Sequence, residues 1–165
     1  MKFKGTVKLD LEGFTKIRKY LHETGNMNVE VGVLSNKTER GDGEDFDNAA
    51  IGATHELGSI EANIPPRSFL KVPAITVLPK RINKISAARI MKNLMAKGTV
   101  ATLREIGQIA EGVIDEGFAT RGFGKWAPNK PATIRKKKGK DMPLIDSGKL
   151  RRSITSRVVK KESSK

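Results

Sequence analysis

The sequence predicts an α+β fold: a small, mostly antiparallel sheet packed by a few helices, including a long helical hairpin, with an extended basic loop. Three patterns carry that prediction. Short stretches near both ends alternate apolar and polar residues with a period of two, the middle of the chain repeats apolar residues at helical spacing, and four consecutive basic residues (Arg135, Lys136, Lys137 and Lys138) stand between segments with ordering signals. Residues 1–160 read as a single domain from which the basic loop protrudes at about 120–143, and 161–165 read as a disordered tail.

In chain order, Lys2 to Leu9 sets Phe3, Gly5, Val7 and Leu9 against lysines and a threonine, which suits an edge strand. Asp10 is placed to cap a helix running to about Glu23, with Leu11, Phe14, Ile17 and Leu21 on one face and Gly25 as its stop. Val29, Val31 and Val33 alternate as a second strand. The segment Asn36 to Asn48 is polar and acidic; it fails the EF-hand pattern because Phe46 takes a ligand position and the bidentate glutamate is missing, so it reads as a solvated loop. Its acidity complements the basic C-terminal block, which offers a contact between neighbouring subunits. Asn48 to Leu57 reads as a short helix ended by Gly58.

Ile64-Pro65-Pro66-Arg67 is stiff and extended, because each proline fixes its own φ and restricts the residue before it. Phe69 and Leu70 then enter an apolar run interrupted by Pro73 and Pro79. Lys80 to Lys97 reads as a partly amphipathic basic helix, and Gly98 separates it from a clearer one, Thr99 to Ala119, with Leu103, Ile106, Ala110, Val113 and Ile114 on one stripe. At 1.5 Å per residue the second helix is ~30 Å long, and an antiparallel hairpin is the simplest packing of the two. Gly122-Phe123-Gly124 is a weak phosphate-loop signal, lacking the rest of the glycine spacing. Pro131 fits the first turn of a short helix behind Asn129 or Lys130. Asp146 is placed to cap a turn from Ser147, with Leu150 and Ile154 four apart, and Ile154, Ser156 and Val158 alternate as a final strand.

Composition narrows the chemistry. At 165 residues, with 37% apolar and 5% aromatic residues, the core is small or completed by partners. There is no cysteine and no apolar run long enough for a membrane span. The net charge of +14 is uneven: residues 1–120 hold 17 basic against 15 acidic side chains, residues 121–165 hold 15 against 3. Such a block attracts nucleic acid or an acidic protein face. His55-Glu56 invites a zinc-protease reading, but Ser59 stands where the second histidine is needed. His55 therefore reads as a packing or hydrogen-bonding residue at an interface, and Glu56 as an ion-pair partner for Arg67. The carboxylates Glu105, Glu111, Asp115 and Glu116 fall on a solvated helix face. No nucleophile elbow, histidine pair or complete phosphate loop is present, so neither enzyme nor cofactor is expected.

Two blocks resemble one known family. Trp126 with Pro128, then Thr133-Ile134 and the lysine run, then Pro143-Leu144-Ile145-Asp146-Ser147-Gly148-Lys149-Leu150 and Ser153-Ile154, is similar to the C-terminal signature of the phage virion-morphogenesis proteins, the tail-completion or head–tail joining proteins of long-tailed bacteriophages. His55-Glu56-Leu57-Gly58 followed by Ile64-Pro65-Pro66-Arg67-Ser68-Phe69-Leu70 resembles an earlier block of the same family, which usually has proline where Ser68 stands. The resemblance implies a ring of subunits, sixfold, at the head-proximal end of the tail, bridging the tail-terminator and head-completion proteins, with genome DNA passing through the lumen and no membrane involved. Assembly would take place in the host cytoplasm. On that reading Arg135, Lys136, Lys137, Lys138 and Lys140, with Arg151 and Arg152, contact DNA or acidic partner surfaces, and Trp126 anchors their loop. His55, Glu56, Pro65, Pro66, Arg67, Phe69, Leu144, Ile145, Asp146, Gly148 and Leu150 are its motif and interface positions. The alternative is an accessory nucleic-acid-binding protein using the basic block, although beyond Phe123 and Trp126 there is no aromatic platform beside the lysines to stack bases.

Overall fold

A computed structural model describes residues 11–34 and 47–162. The expected edge strand at Lys2 to Leu9, the cap at Asp10, nearly all of the acidic loop and the last three residues lie outside the described residues. The first described helix, α1 (Leu11–Gly25), follows the expected apolar spacing yet has no fully buried residue; Leu11, Phe14 and Leu21 are 66%, 65% and 58% exposed. β1 (Met27–Val33) follows, and the chain returns at its end as β2 (Ile154–Lys160), antiparallel to it.

The register explains the alternation. Val29 faces Val158, Val31 faces Ser156 and Val33 faces Ile154 on one side, while Glu30 and Arg157 pair on the other at 2.8 Å. The apolar side is covered by α5 (Ala87–Ala119), whose buried stripe includes Ala110, Val113, Ile114 and Phe118. Helix and sheet touch at Gly107: a Cβ there would collide with the Ser156 hydroxyl and stand 2.9 Å from Ser156 Cβ. Glycine lets the helix lie this close.

α5 is the expected hairpin. Gly98 leaves helical geometry (φ 79°, ψ 176°), and Asn93 and Lys97 both reach Glu105 at 2.6 Å. In a straight helix Asn93 and Glu105 would be ~18 Å apart, so the two limbs fold back on each other. The first limb does not start at Lys80. Two short helices, α3 (Lys71–Thr76) and α4 (Leu78–Ile82), precede it, and Ser86 resets the chain by accepting the Arg89 N–H at its N-cap.

α2 (Asn48–Leu57) is capped by Asp47, which accepts the Ala50 N–H at 2.7 Å, and ended by Gly58 at φ 79°. Between α2, the sheet and α5 sits the core: Phe69, Ile114, Phe118 and Leu150, with Val31, Val33, Ile51, Trp126, Leu144, Ile145 and Ile154 packed around them. Phe118 lies between two rings, 5.2 Å from Phe69 and 5.8 Å edge-on from Trp126.

Two short helices complete the fold, α6 (Pro131–Lys136), with proline in its first turn as expected, and α7 (Lys149–Arg152). Asp146 is not the cap of α7: the N-cap is Gly148 in the left-handed region (φ 76°), with no side-chain cap. Nor do Leu150 and Ile154 share a helix face, because α7 is a single turn and Ile154 already belongs to β2; both still reach the core. The ordered chain also runs past Lys160, since Lys161 donates its N–H to Asn26 and its Nζ to Gly25.

Candidate functional site

Glu56 and Arg67 do not pair with each other, and what they do instead builds the site. Glu56, in the last turn of α2, accepts the N–H groups of Phe69 (2.8 Å), Leu70 (2.9 Å) and Lys71 (3.0 Å) and the Ser68 hydroxyl (2.5 Å). The first amides of α3 have no partner within the helix, so a carboxylate there satisfies donors that an arginine could not. Ser68 passes the bond on by accepting the Val72 N–H at 3.0 Å, a use for serine where the resembling family has proline.

Arg67, only 7% exposed, donates its backbone N–H to His55 and its guanidinium to the carbonyls of Ala127 and Pro128, both at 3.0 Å. The neighbouring Trp126 indole donates to Ser68 O at 3.3 Å. Burial pulls the Arg67 pKa below its ordinary value, and Asp141 partly offsets that. These bonds tie the Pro65-Pro66-Arg67 block to the Trp126 block.

The join encloses a cleft of about 580 Å³. Its apolar lining comes from Ile51, Ile64, Pro65, Leu144 and Leu150, and Arg67, Lys130, Lys136, Lys137 and Lys149 line it with a single acid, Asp146. Lys137 turns inward and gives its Nζ to Met142 O at 2.5 Å; Lys130 gives its Nζ to Asn63 O at 3.1 Å. Burial lowers the Lys137 pKa; Asp146 and Asp141 oppose the shift and Arg67 adds to it. His55 is held below the usual histidine range by burial first, then by Arg67 and Lys137, so its imidazole stays neutral at pH 7. His55 Nδ1 and Asn129 Nδ2 are both buried without a hydrogen-bond partner in the residues around this cleft.

Of the residues singled out by the sequence, His55, Pro65, Arg67, Lys136, Lys137, Leu144, Asp146, Gly148 and Leu150 come together here. Phe69 is fully buried in the core and Ile145 packs against it. Pro66 lies outside, against Gly58 and Ile64. The basic run is not one cationic loop: α6 carries it to Lys136, Lys137 folds in, and the chain turns through positive φ at Lys138 (52°) and Gly139 (85°). Arg135, Lys138 and Lys140 are exposed outside the cleft. Arg151 is engaged by Asp115 at 2.5 and 2.6 Å, and Arg152 donates to Ser147 O at 3.0 Å.

Sequence reasoning missed Ile51, Asn129 and Lys130 as cleft residues; only Asn129 and Lys130, beside Pro131, carried a signal, as caps. The Gly122-Phe123-Gly124 turn holds the tryptophan in place of a phosphate, since a Cβ on Gly122 would run into the Trp126 indole. Glu105, Asp115 and Glu116 are each tied to a cation (Lys97, Arg151 and Arg81). Among the described residues no three histidine, aspartate or glutamate side chains gather as a metal site, and no helix is long and apolar enough to cross a membrane. No protein-family model matches the chain, no curated protein matches it, and no solved structure matches its fold.

Proposed function

We propose that this chain is a structural subunit of a bacteriophage neck, a tail-completion or head–tail joining protein that forms a ring between the tail-terminator and head-completion proteins. One observation carries the reading. The two blocks that resemble that family, some sixty residues apart in sequence, meet in space through Arg67 on Ala127 and Pro128 and Trp126 on Ser68, and enclose a cleft.

Exposed apolar side chains support a subunit completed by neighbours: Leu57 is 78% and Ile60 99% exposed, and α1 presents Leu11, Phe14 and Leu21. Its work is binding, not catalysis. The sixfold ring, the virion location and DNA in the lumen follow from the resemblance. The experiment is electron microscopy of particles from a phage deleted for this chain. Separate filled heads and finished tails are expected; intact, infectious virions would overturn the reading.

A second reading, an accessory nucleic-acid-binding protein, draws on the exposed Arg135, Lys138 and Lys140. It requires that replacing Lys136, Lys137 and Lys138 by alanine sharply lower both DNA affinity and its salt dependence. For a neck subunit the same change impairs head–tail joining, with bulk DNA affinity low from the start.

A further inference from the structure

Three cations of the cleft, Arg67, Lys130 and Lys137, donate to main-chain carbonyls and not to carboxylates. Arg67 is held by the carbonyls of Ala127 and Pro128, Lys130 by that of Asn63 and Lys137 by that of Met142. A neutral carbonyl accepts a hydrogen bond but leaves the positive charge in place, and each ammonium keeps further donors. Lys136, exposed on the same lining, adds to the surplus. Against it stand Asp146 in the lining and Asp141 nearby, the latter 3.5 Å from Arg121.

Two further features sit in the same place. Asn129, 9% exposed, leaves its Nδ2 without a partner, and His55 does the same with Nδ1. Ile51, Ile64, Pro65, Leu144 and Leu150 give the cleft an apolar lining. Uncancelled charge in a partly desolvated concavity acts more strongly on an incoming anion than the same charge on an open surface. Apolar walls call for an apolar group beside that anion.

We propose that this cleft receives an acidic segment of a partner protein, with aspartate or glutamate carboxylates meeting Lys136, Lys137 and Arg67 and an adjacent large apolar side chain seated on Ile51, Ile64 and Leu144. The inference rests on the neck reading only in taking the partner to be another virion protein. Duplex DNA fits less well: it presents phosphates on a convex rod and has no apolar group to fill the walls. The basic residues best placed for such a rod, Arg135, Lys138 and Lys140, lie outside the cleft.

The test is a nuclear magnetic resonance titration of the full chain with three probes: the blocked peptide Glu-Leu-Asp-Glu-Phe, its amide counterpart Gln-Leu-Asn-Gln-Phe, and a short DNA duplex. The acidic peptide should shift the signals of Ile51, His55, Asn129 and Leu144, and the amide peptide should leave them in place. Lys136→Glu should weaken the acidic peptide about tenfold or more, whereas Lys138→Glu, the same change of net charge outside the cleft, should alter it by less than about twofold. Both lysines are exposed, so neither variant disturbs the core, and the spectrum itself reports folding.

Equal binding of the two peptides, or equal loss in the two variants, would overturn the proposal. So would cleft shifts driven by the duplex alone, by dilution of the protein alone (a second copy as occupant), or no shift at millimolar peptide. The particle microscopy above reads the neck assignment independently, so failure of one leaves the other standing.

Discussion

Two regions of this molecule treat positive charge in opposite ways. Around the sheet and α5 four cations are held by carboxylates: Arg81 by Glu116, Lys97 by Glu105, Arg151 by Asp115 and Arg157 by Glu30. At the cleft Arg67, Lys130 and Lys137 are held by main-chain carbonyls. In those four pairs of the first region charge is cancelled locally, and such exposed pairs contribute little to stability. In the second the hydrogen bonds are made and the field remains, available to something outside the chain.

That contrast can be broken at its hinge. Phe118, fully buried between Phe69 and Trp126, joins the helix–sheet body to the cleft wall. Phe118→Ala should cost about 3–5 kcal/mol by denaturant unfolding, with both regions lost in one transition. Two separated transitions would show the regions to be independent.

Next in size is the carbonyl clamp itself. Arg67→Met keeps bulk but leaves the Ala127 and Pro128 carbonyls unpaired, and should cost about 1–3 kcal/mol with loosening of the Trp126 turn. An unchanged midpoint would mean that the clamp only tunes charge.

The third test uses pH. The His55 pKa lies below the ordinary value near 6.5, so between the two the unfolded chain binds the extra proton. The neutral imidazole's contribution is therefore fully present above about pH 6.5 and declines as pH falls below it toward the folded pKa. Denaturation midpoints across this window should fall for the native chain and flatten in His55→Gln; identical slopes would remove His55 from the account.

The smallest effect belongs to the carboxylate-held cations. Asp115 is held below the usual carboxylate range by its hydrogen bond to Arg151, yet the pair is largely exposed. Arg151→Ala should cost ~0–1 kcal/mol. A loss as large as that of Arg67→Met would erase the distinction between the two regions.

Much of the fold was legible because its signals are local. Alternation marked β1 and β2, helical spacing marked α1 and α5, and Gly58, Gly98 and Pro131 marked where the chain turns or starts. The candidate site was legible as two blocks of residues and illegible as a site. Glu56 and Arg67, eleven apart and opposite in charge, invited a pairing that the amides of α3 and the carbonyls of Ala127 and Pro128 took instead. Likewise four adjacent basic residues carry no sign that the third faces inward.

By itself, then, the sequence determined the periods, the punctuation and the uneven charge, since each depends on neighbours within one or two turns of chain. Only the tertiary structure decided which donor meets which acceptor across the sixty residues between Arg67 and Ala127, and thereby which charges are cancelled. The physical reason is that a buried polar group takes whichever partner the packed backbone brings within 3 Å, and complementary charge along the chain is a weaker guide than an unpaired amide or carbonyl already in place.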